Sequence, residues 1–352
     1  MSLGARMRRL ASGLSRRVIV AAASLVLAGA AVLVHIGLPE AQPLTAARSV
    51  VVQARPITAF DPRDPGKRQF GPLTFRGGLE LTSADAAFGG LSSIRTTADG
   101  GFLAVTDKGA WLRGRIVTRD GRPEGLAEVE LAPIRGPDGR PITARRWYDS
   151  EALAIDGETA YVAIERVHQI LKFDLRRGLA APGLMVTVPP AVKALRPNKG
   201  IEGLVAVGKG APLAAGTLIA LSERGLDGDG NIAGFLIGRQ PGQFAIRRSD
   251  DYDLTDAALL PDGGLVILER HYSLLRGVAM RLRLLPLAAL RPDAVVDGRV
   301  LLEADLGYQI DNMEGLSVHR DDAGEIVLTL VSDDNFSLLQ RTLLLQFTLT
   351  GE

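Results

Sequence analysis

WYDSEALAIDGETAYVAIER, Trp147–Arg166, holds a complete hairpin. An apolar strand headed by an acid, Glu151-Ala152-Leu153-Ala154-Ile155, meets an Asp156-Gly157 turn, and a second apolar strand runs into Glu165-Arg166. Asp-Gly between two apolar runs is a strong hairpin signal. The unit recurs. Asn198–Arg224 holds Glu202-Gly203-Leu204 and then Leu218–Arg224. Asp251–Arg270 holds Asp256-Ala257-Ala258, Pro261–Gly264 and Leu265–Arg270. Asp311–Asp334 holds Glu314-Gly315-Leu316, Asp322-Ala323-Gly324 and Val327–Asp334. Phe88–Lys108 is the first copy, with Gly89-Gly90-Leu91, Asp99-Gly100-Gly101 and Phe102–Lys108.

The five copies align on Gly89, Glu151, Glu202, Asp256 and Glu314, with steps of 62, 51, 54 and 58 residues. Repetition at this period marks a solenoid or a propeller. Each hairpin is followed by two further strand-like segments, such as Ala110–Val117 and Ala127–Ile134 in the first copy. Four antiparallel strands per repeat predict an all-β fold, a β-propeller of four-stranded blades. The second strand of each copy is nearly all apolar, as burial on both faces requires. Five repeats predict five blades; a sixth fits only in the long first spacing and the N-terminal stretch. After Val331 the last copy has only Leu343–Leu349 left, whereas Leu73–Thr82 precedes the first copy as a surplus strand. The expectation is that this N-terminal strand completes the last blade and closes the ring, which removes open sheet edges.

Outside the repeats, residues 1–38 combine a basic head (Arg6, Arg8, Arg9, Arg16, Arg17) with the uncharged run Val18–Val34. That pattern predicts a signal peptide or an N-terminal membrane anchor. Ser15–Ile19 is compatible with the twin-arginine route. A periplasmic or otherwise exported protein follows, touching a membrane only through this segment if it is not cleaved. Residues 39–72, with Pro43, Pro56, Pro62 and Pro65, read as a linker, and 73–352 as the propeller domain. With 41 basic and 40 acidic side chains, no bulk charge favours nucleic acid. The absence of cysteine excludes disulfides, thiolate metal sites and a cysteine nucleophile. A monomer acting on a small molecule is the expectation.

Acids occupy two registers of the repeat. Glu151, Glu202, Asp256 and Glu314 head the inner strands; Asp107, Glu165, Glu223, Glu269 and Asp333 end the second strands. Equivalent positions of successive blades gather round a propeller axis, so these carboxylates are expected in one funnel, with Lys108, Arg166, Arg224 and Arg270 beside them. Carboxylate oxygens suit a hard cation such as Ca²⁺, and guanidinium groups suit a phosphate. The competing reading is architectural: an acid–Arg pair repeated in every blade can tie blade to blade. Of the four histidines, only His271 falls near the predicted funnel. No HExxH or Gly-x-Ser-x-Gly motif is present. Asp227-Gly228-Asp229-Gly230-Asn231 lacks the later EF-hand ligands and reads as a hairpin turn.

Phe88–Ser92, Thr106–Gly109, Asp149–Leu153, Asn198–Leu204, Leu268–Arg270 and Val331–Phe336 resemble motifs of exported bacterial proteins described as having esterase-like activity of phytase. The resemblance spans Leu73–Leu349. It implies a propeller and a hydrolase acting on phosphate esters or related esters. On that expectation Glu151, Glu202, Asp256 and Glu314 bind Ca²⁺ or act as general base. Lys108, Arg166, Arg224, Arg270 and His271 hold the substrate, and Asp107, Glu151, Glu202, Glu314 and Asp333 form the metal set. A non-catalytic ligand- or partner-binding propeller and a sugar lactonase-type propeller are the alternatives.

Overall fold

The computed structural model describes residues 44–273 and 277–350. The expected signal or anchor, residues 1–38, lies outside them. Among the described residues no helix is long and apolar enough to cross a membrane.

Five antiparallel sheets form a five-bladed propeller. From the axis outward, blade 1 is Leu91–Thr96, Gly101–Thr106, Ala110–Arg119 and Arg122–Pro133. Blade 2 is Ser150–Asp156, Thr159–Ile164, Gln169–Asp174 and Leu184–Val186. Blade 3 is Ile201–Ala206, Leu218–Leu226, Ile232–Ile237 and Gly242–Ile246. Blade 4 is Asp253–Leu259, Gly264–Ser273, Gly277–Pro286 and Arg299–Asp305. Blade 5 takes Met313–Arg320, Ile326–Ser332 and Thr342–Leu349 from one end of the chain and Leu73–Ser83 from the other. The inner strands neighbour one another in the cycle of blades 1, 2, 3, 4, 5 and back to 1.

Not every blade has four strands. Arg48–Ser49 joins blade 1, Val295–Val296 joins blade 3 in parallel, and Val52–Ile57 extends blade 5. Part of the segment read as a linker is therefore edge strand. Its short alternating run had no partner in the sequence; Leu73–Ser83 supplies one, 11 residues long. The long first spacing is a long outer hairpin, Ala110–Pro133, and holds no further blade.

The core lies between blades rather than within them. Five buried clusters fill the five interblade spaces. Each blade is covered on both faces by its neighbours, which accounts for continuous apolar strands such as Leu265–Leu268, all buried. Between blades 4 and 5, Phe60, Phe70, Phe75, Phe347 and Tyr308 pack ring on ring, so the chain before blade 1 is locked onto the last blade.

Candidate active site at the mouth of the axial funnel

Each inner strand bulges near its start. Pairing with the second strand skips Ser92, Glu151, Glu202, Thr255 and Glu314 in blades 1 to 5. A bulge re-aims the extra side chain, and here it turns one residue per blade toward the axis. One residue past the partner of the residue that precedes each bulge, the second strands carry a second ring: Asp107, Glu165, Glu223, Arg270 and Asp333.

Blade 4 departs from its sequence alignment at both rings. Thr255, not Asp256, occupies the bulge, and Arg270, not Glu269, takes the ring position on the second strand, which runs on to Ser273. In blade 1 the equivalent is Ser92, three residues past Gly89. Aligning on acids selected the neighbours, and a one-residue slip in a strand turns a side chain to the opposite side. Glu269 is fully buried and accepts Arg281 Nε at 2.9 Å, Arg283 Nε at 2.7 Å and Arg283 Nη2 at 2.6 Å. It is a strut inside blade 4, holding two arginines that reach the preceding connection at Ser249 and Arg247.

Asp256 lies below the mouth. Its carboxylate accepts Ser93 Oγ at 2.8 Å, Arg95 Nη1 at 3.0 Å and Arg95 Nη2 at 3.1 Å, together with the amides of Leu316 at 2.8 Å and Ala257 at 2.7 Å. Arg95 reaches across the axis from blade 1. It donates to the carbonyls of Ile94 at 2.6 Å, Leu316 at 2.7 Å, Leu204 at 3.0 Å and Ala257 at 3.2 Å. Inner strands are sheet edges whose carbonyls face the channel unpaired. One guanidinium satisfies edges from four blades. Arg95 thus forms the floor of the funnel, and Asp256, saturated with donors, is a structural anchor rather than a general base. Sequence reasoning passed over Arg95 because no other blade carries a cation there.

Above this floor the acids converge. One carboxylate oxygen from each of Glu165, Glu202 and Glu223 lies within 4.8 Å of the others. Glu165 is buried and accepts the Gly200 amide at 2.8 Å; any side chain at Gly200 would run into Glu165. Glu223 accepts Lys199 Nζ at 2.8 Å. Burial, reinforced by Glu151, Glu314, Glu223 and Glu165, holds the Glu202 carboxyl well above the usual range. Glu151 is raised in the same way, by burial and then by Glu314, against a hydrogen bond from Ser92. Burial pushes Glu314 up to about 7 despite Arg270. It pushes Asp107 to about 7 and Asp333 to about 6. Asp107 Oδ1 is buried without a hydrogen-bond partner. Crowded, poorly hydrated carboxylates of this kind hold protons or a cation. The donors are all oxygen, which suits a hard metal ion, and Glu165, Glu202 and Glu223 could bind one. The expected set held Glu202 but not Glu165 or Glu223.

The cations divide. Arg270 stands in the ring itself, donating to Glu314 and Asn312, with Nη2 3.8 Å from Glu223. Lys108 sits over the Phe336 ring beside Asp107, and burial lowers its pKa. Arg166 is paired with Asp149 at 2.9 Å and lies over Tyr148; Arg224 is clamped on Asp253. Both are committed at the rim. His271 contacts the Tyr252 ring and the Asp251 carbonyl, away from the acids. Asp227 caps its own turn, accepting the Asp229 and Asn231 amides at 2.9 and 2.8 Å, as a hairpin requires.

The family model for phytase-like proteins, described by esterase-like activity of phytase, matches residues 86–336. The chain belongs to this family. No curated protein matches it. Solved structures similar to this phytase-like protein include a chain of a nidogen/laminin complex, 11% identical over 74% of this chain and 86% of that one, TM-score 0.38. Another is the glutaminyl cyclase of Myxococcus xanthus, 12% identical over 88% of this chain and 100% of that one, TM-score 0.37. A third is a glucose dehydrogenase, 16% identical over 85% of this chain and 98% of that one, TM-score 0.32.

Proposed function

We propose that the funnel mouth is a cation-dependent hydrolytic site for phosphate esters or related esters, in a protein exported by its N-terminal segment. The observation that carries this reading is the Glu165–Glu202–Glu223 trio, with oxygens within 4.8 Å of one another and Arg270 beside them. The family's description as esterase-like supports it. Ca²⁺ suits the all-oxygen, partly buried donor set. A bound cation would offset the excess negative charge and attract the ester oxygen.

The protein's own groups take the remaining roles. Arg270 is held in place by Glu314 and Asn312 and presents a fixed guanidinium to an anionic group. Glu151, its carboxyl held well above the usual range by burial and then by Glu314, is suited to general acid–base work. The Arg95 floor leaves the mouth as the way in and out. A non-catalytic binding propeller draws support from one observation: Arg166 and Arg224 are already paired with acids.

The test is Ca²⁺ calorimetry together with release of phosphate or p-nitrophenol from a panel of phosphate and carboxyl esters. Saturable Ca²⁺ binding and turnover, both lost in Glu202→Gln and Glu223→Gln, are expected. A protein that binds Ca²⁺ but turns over nothing, and copurifies with a stoichiometric partner, would move the assignment to the binding propeller.

A further inference from the structure

The mouth is ionic inside and apolar at one side of its rim. Five large apolar side chains stand exposed on the strand ends and loops of this face: Leu226 (42%), Tyr272 (65%), Leu306 (58%), Leu338 (89%) and Leu339 (93%). They belong to one sector. Leu226 and Tyr272 lie past the ring residues Glu223 and Arg270 in blades 3 and 4. Leu306 is in the connection to blade 5, against Gly277. Leu338 and Leu339 are in the blade 5 loop that begins with the ring residue Asp333. The sector starts beside Arg270, the one cation among the ring residues.

The leucine pair is held out rather than left loose. Asp334 accepts the Gly90 amide at 3.0 Å, the Phe336 amide at 3.1 Å and Thr342 Oγ1 at 2.9 Å. Asn335 Nδ2 donates to Gln340 Oε1 at 3.2 Å, and Arg341 donates to the Ile310 carbonyl at 2.9 Å. Asn335 and Phe336 sit at φ 48° and 50°, a region that a bulky aromatic side chain seldom adopts. A loop pinned at both ends, with a strained turn that keeps two leucines in water, needs something apolar to cover them.

We infer that the substrate is amphiphilic: its charged ester group enters the funnel and its apolar chain lies across Leu338 and Leu339 toward blade 4. This rests on the reading of the funnel as an ester site and names the substrate class. The occupant is the substrate's own chain, because Tyr272 follows Arg270 by two residues in one strand and the loop that carries the leucines begins with Asp333.

The experiment uses alkylphosphonates of four to ten carbons, which bind without turnover, below their micellar concentrations. Affinity for the detergent-free chain with Ca²⁺ is read by calorimetry. A fully buried methylene contributes about four-fold in affinity, so about two-fold per methylene is expected on a one-sided rim. Leu338→Ser/Leu339→Ser should flatten the series, and Leu184→Ser/Met185→Ser, on the outer edge of blade 2, should leave it unchanged. No binding, a flat series in the unaltered protein, or a slope that survives in the leucine variant overturns the inference. Sedimentation with phosphatidylcholine vesicles alongside a flat series would make the leucines a membrane contact and overturn it as well. Turnover of p-nitrophenyl phosphate, measured in parallel, decides the hydrolytic reading separately.

Discussion

Blades 3 and 4 carry the same dipeptide, Glu223-Arg224 and Glu269-Arg270, and turn opposite members of it to the funnel. In blade 3 the glutamate faces Glu202 and Glu165, and the arginine is paired at the rim with Asp253. In blade 4 the glutamate is buried under Arg281 and Arg283, and the arginine reaches the mouth. The difference is one residue of strand register, set where each inner strand bulges. It teaches that charge at a repeat position does not define a role. An acid with two buried guanidinium partners is architecture; an acid with acid neighbours is a site.

The contrast breaks first at Glu269. Glu269→Ala removes the buried carboxylate from two buried arginines and leaves them only the more exposed Asp250 and Asp297; the expected cost is about 3 kcal/mol, read by denaturant unfolding. Glu223→Ala should cost under about 1 kcal/mol, because it also removes repulsion. Equal costs would abolish the distinction between strut and site.

The floor should respond almost as strongly. Arg95→Met strands Asp256 and the inner-strand carbonyls, and a loss of about 3 kcal/mol is expected. Adding Asp256→Asn should recover part of it, since the two side chains act as one unit. Simple additivity in that double-mutant cycle would show that the pair is not a unit.

Smaller in energy, but sharper for function, is Glu202→Gln. Its Ca²⁺ binding should be lost, because a ligand oxygen is replaced and its charge removed, while its melting temperature without Ca²⁺ holds or rises. A lower melting temperature with unchanged Ca²⁺ binding would make Glu202 another strut.

The smallest effect is in pH. Asp107 and Glu314 are raised to about 7 and Asp333 to about 6, so the folded state binds more protons than the unfolded state above about pH 4. Their contribution to stability is complete below about pH 4 and is lost as pH rises through about 7. His168 and His319, lowered by burial, act in the opposite direction, but their unfolded-state titration centres on about pH 6.5, so above it the raised acids outweigh them. With chelator present, melting temperature should therefore fall between pH 6.5 and 8.5, and Ca²⁺ should reverse the fall. A flat or rising profile would mean that burial does not hold protons on these acids in the folded protein.

Much of the fold was legible because it is written locally. Asp156-Gly157 and Asp99-Gly100 are turns by their own chemistry, and alternating or continuous apolar runs give strands whatever surrounds them. Leu73–Thr82 read as a surplus strand at one end and Leu343–Leu349 as the last strand of an incomplete blade at the other, and in the structure Leu73–Ser83 pairs with Thr342–Leu349. Val52–Ile57 was not legible, because an edge strand is defined by its neighbour.

The site was legible by type but not by member. Repeating blades and acids near the ends of their strands follow from residue order, because hairpin chemistry and apolar periodicity act between near neighbours in the chain. Which acids meet depends on contacts between blades. The bulges select Ser92, Glu151, Glu202, Thr255 and Glu314, and ring closure sets Arg95 of blade 1 against carbonyls of blades 3, 4 and 5. Those contacts join residues more than 100 positions apart, where no local propensity reaches and packing about a shared axis sets the geometry.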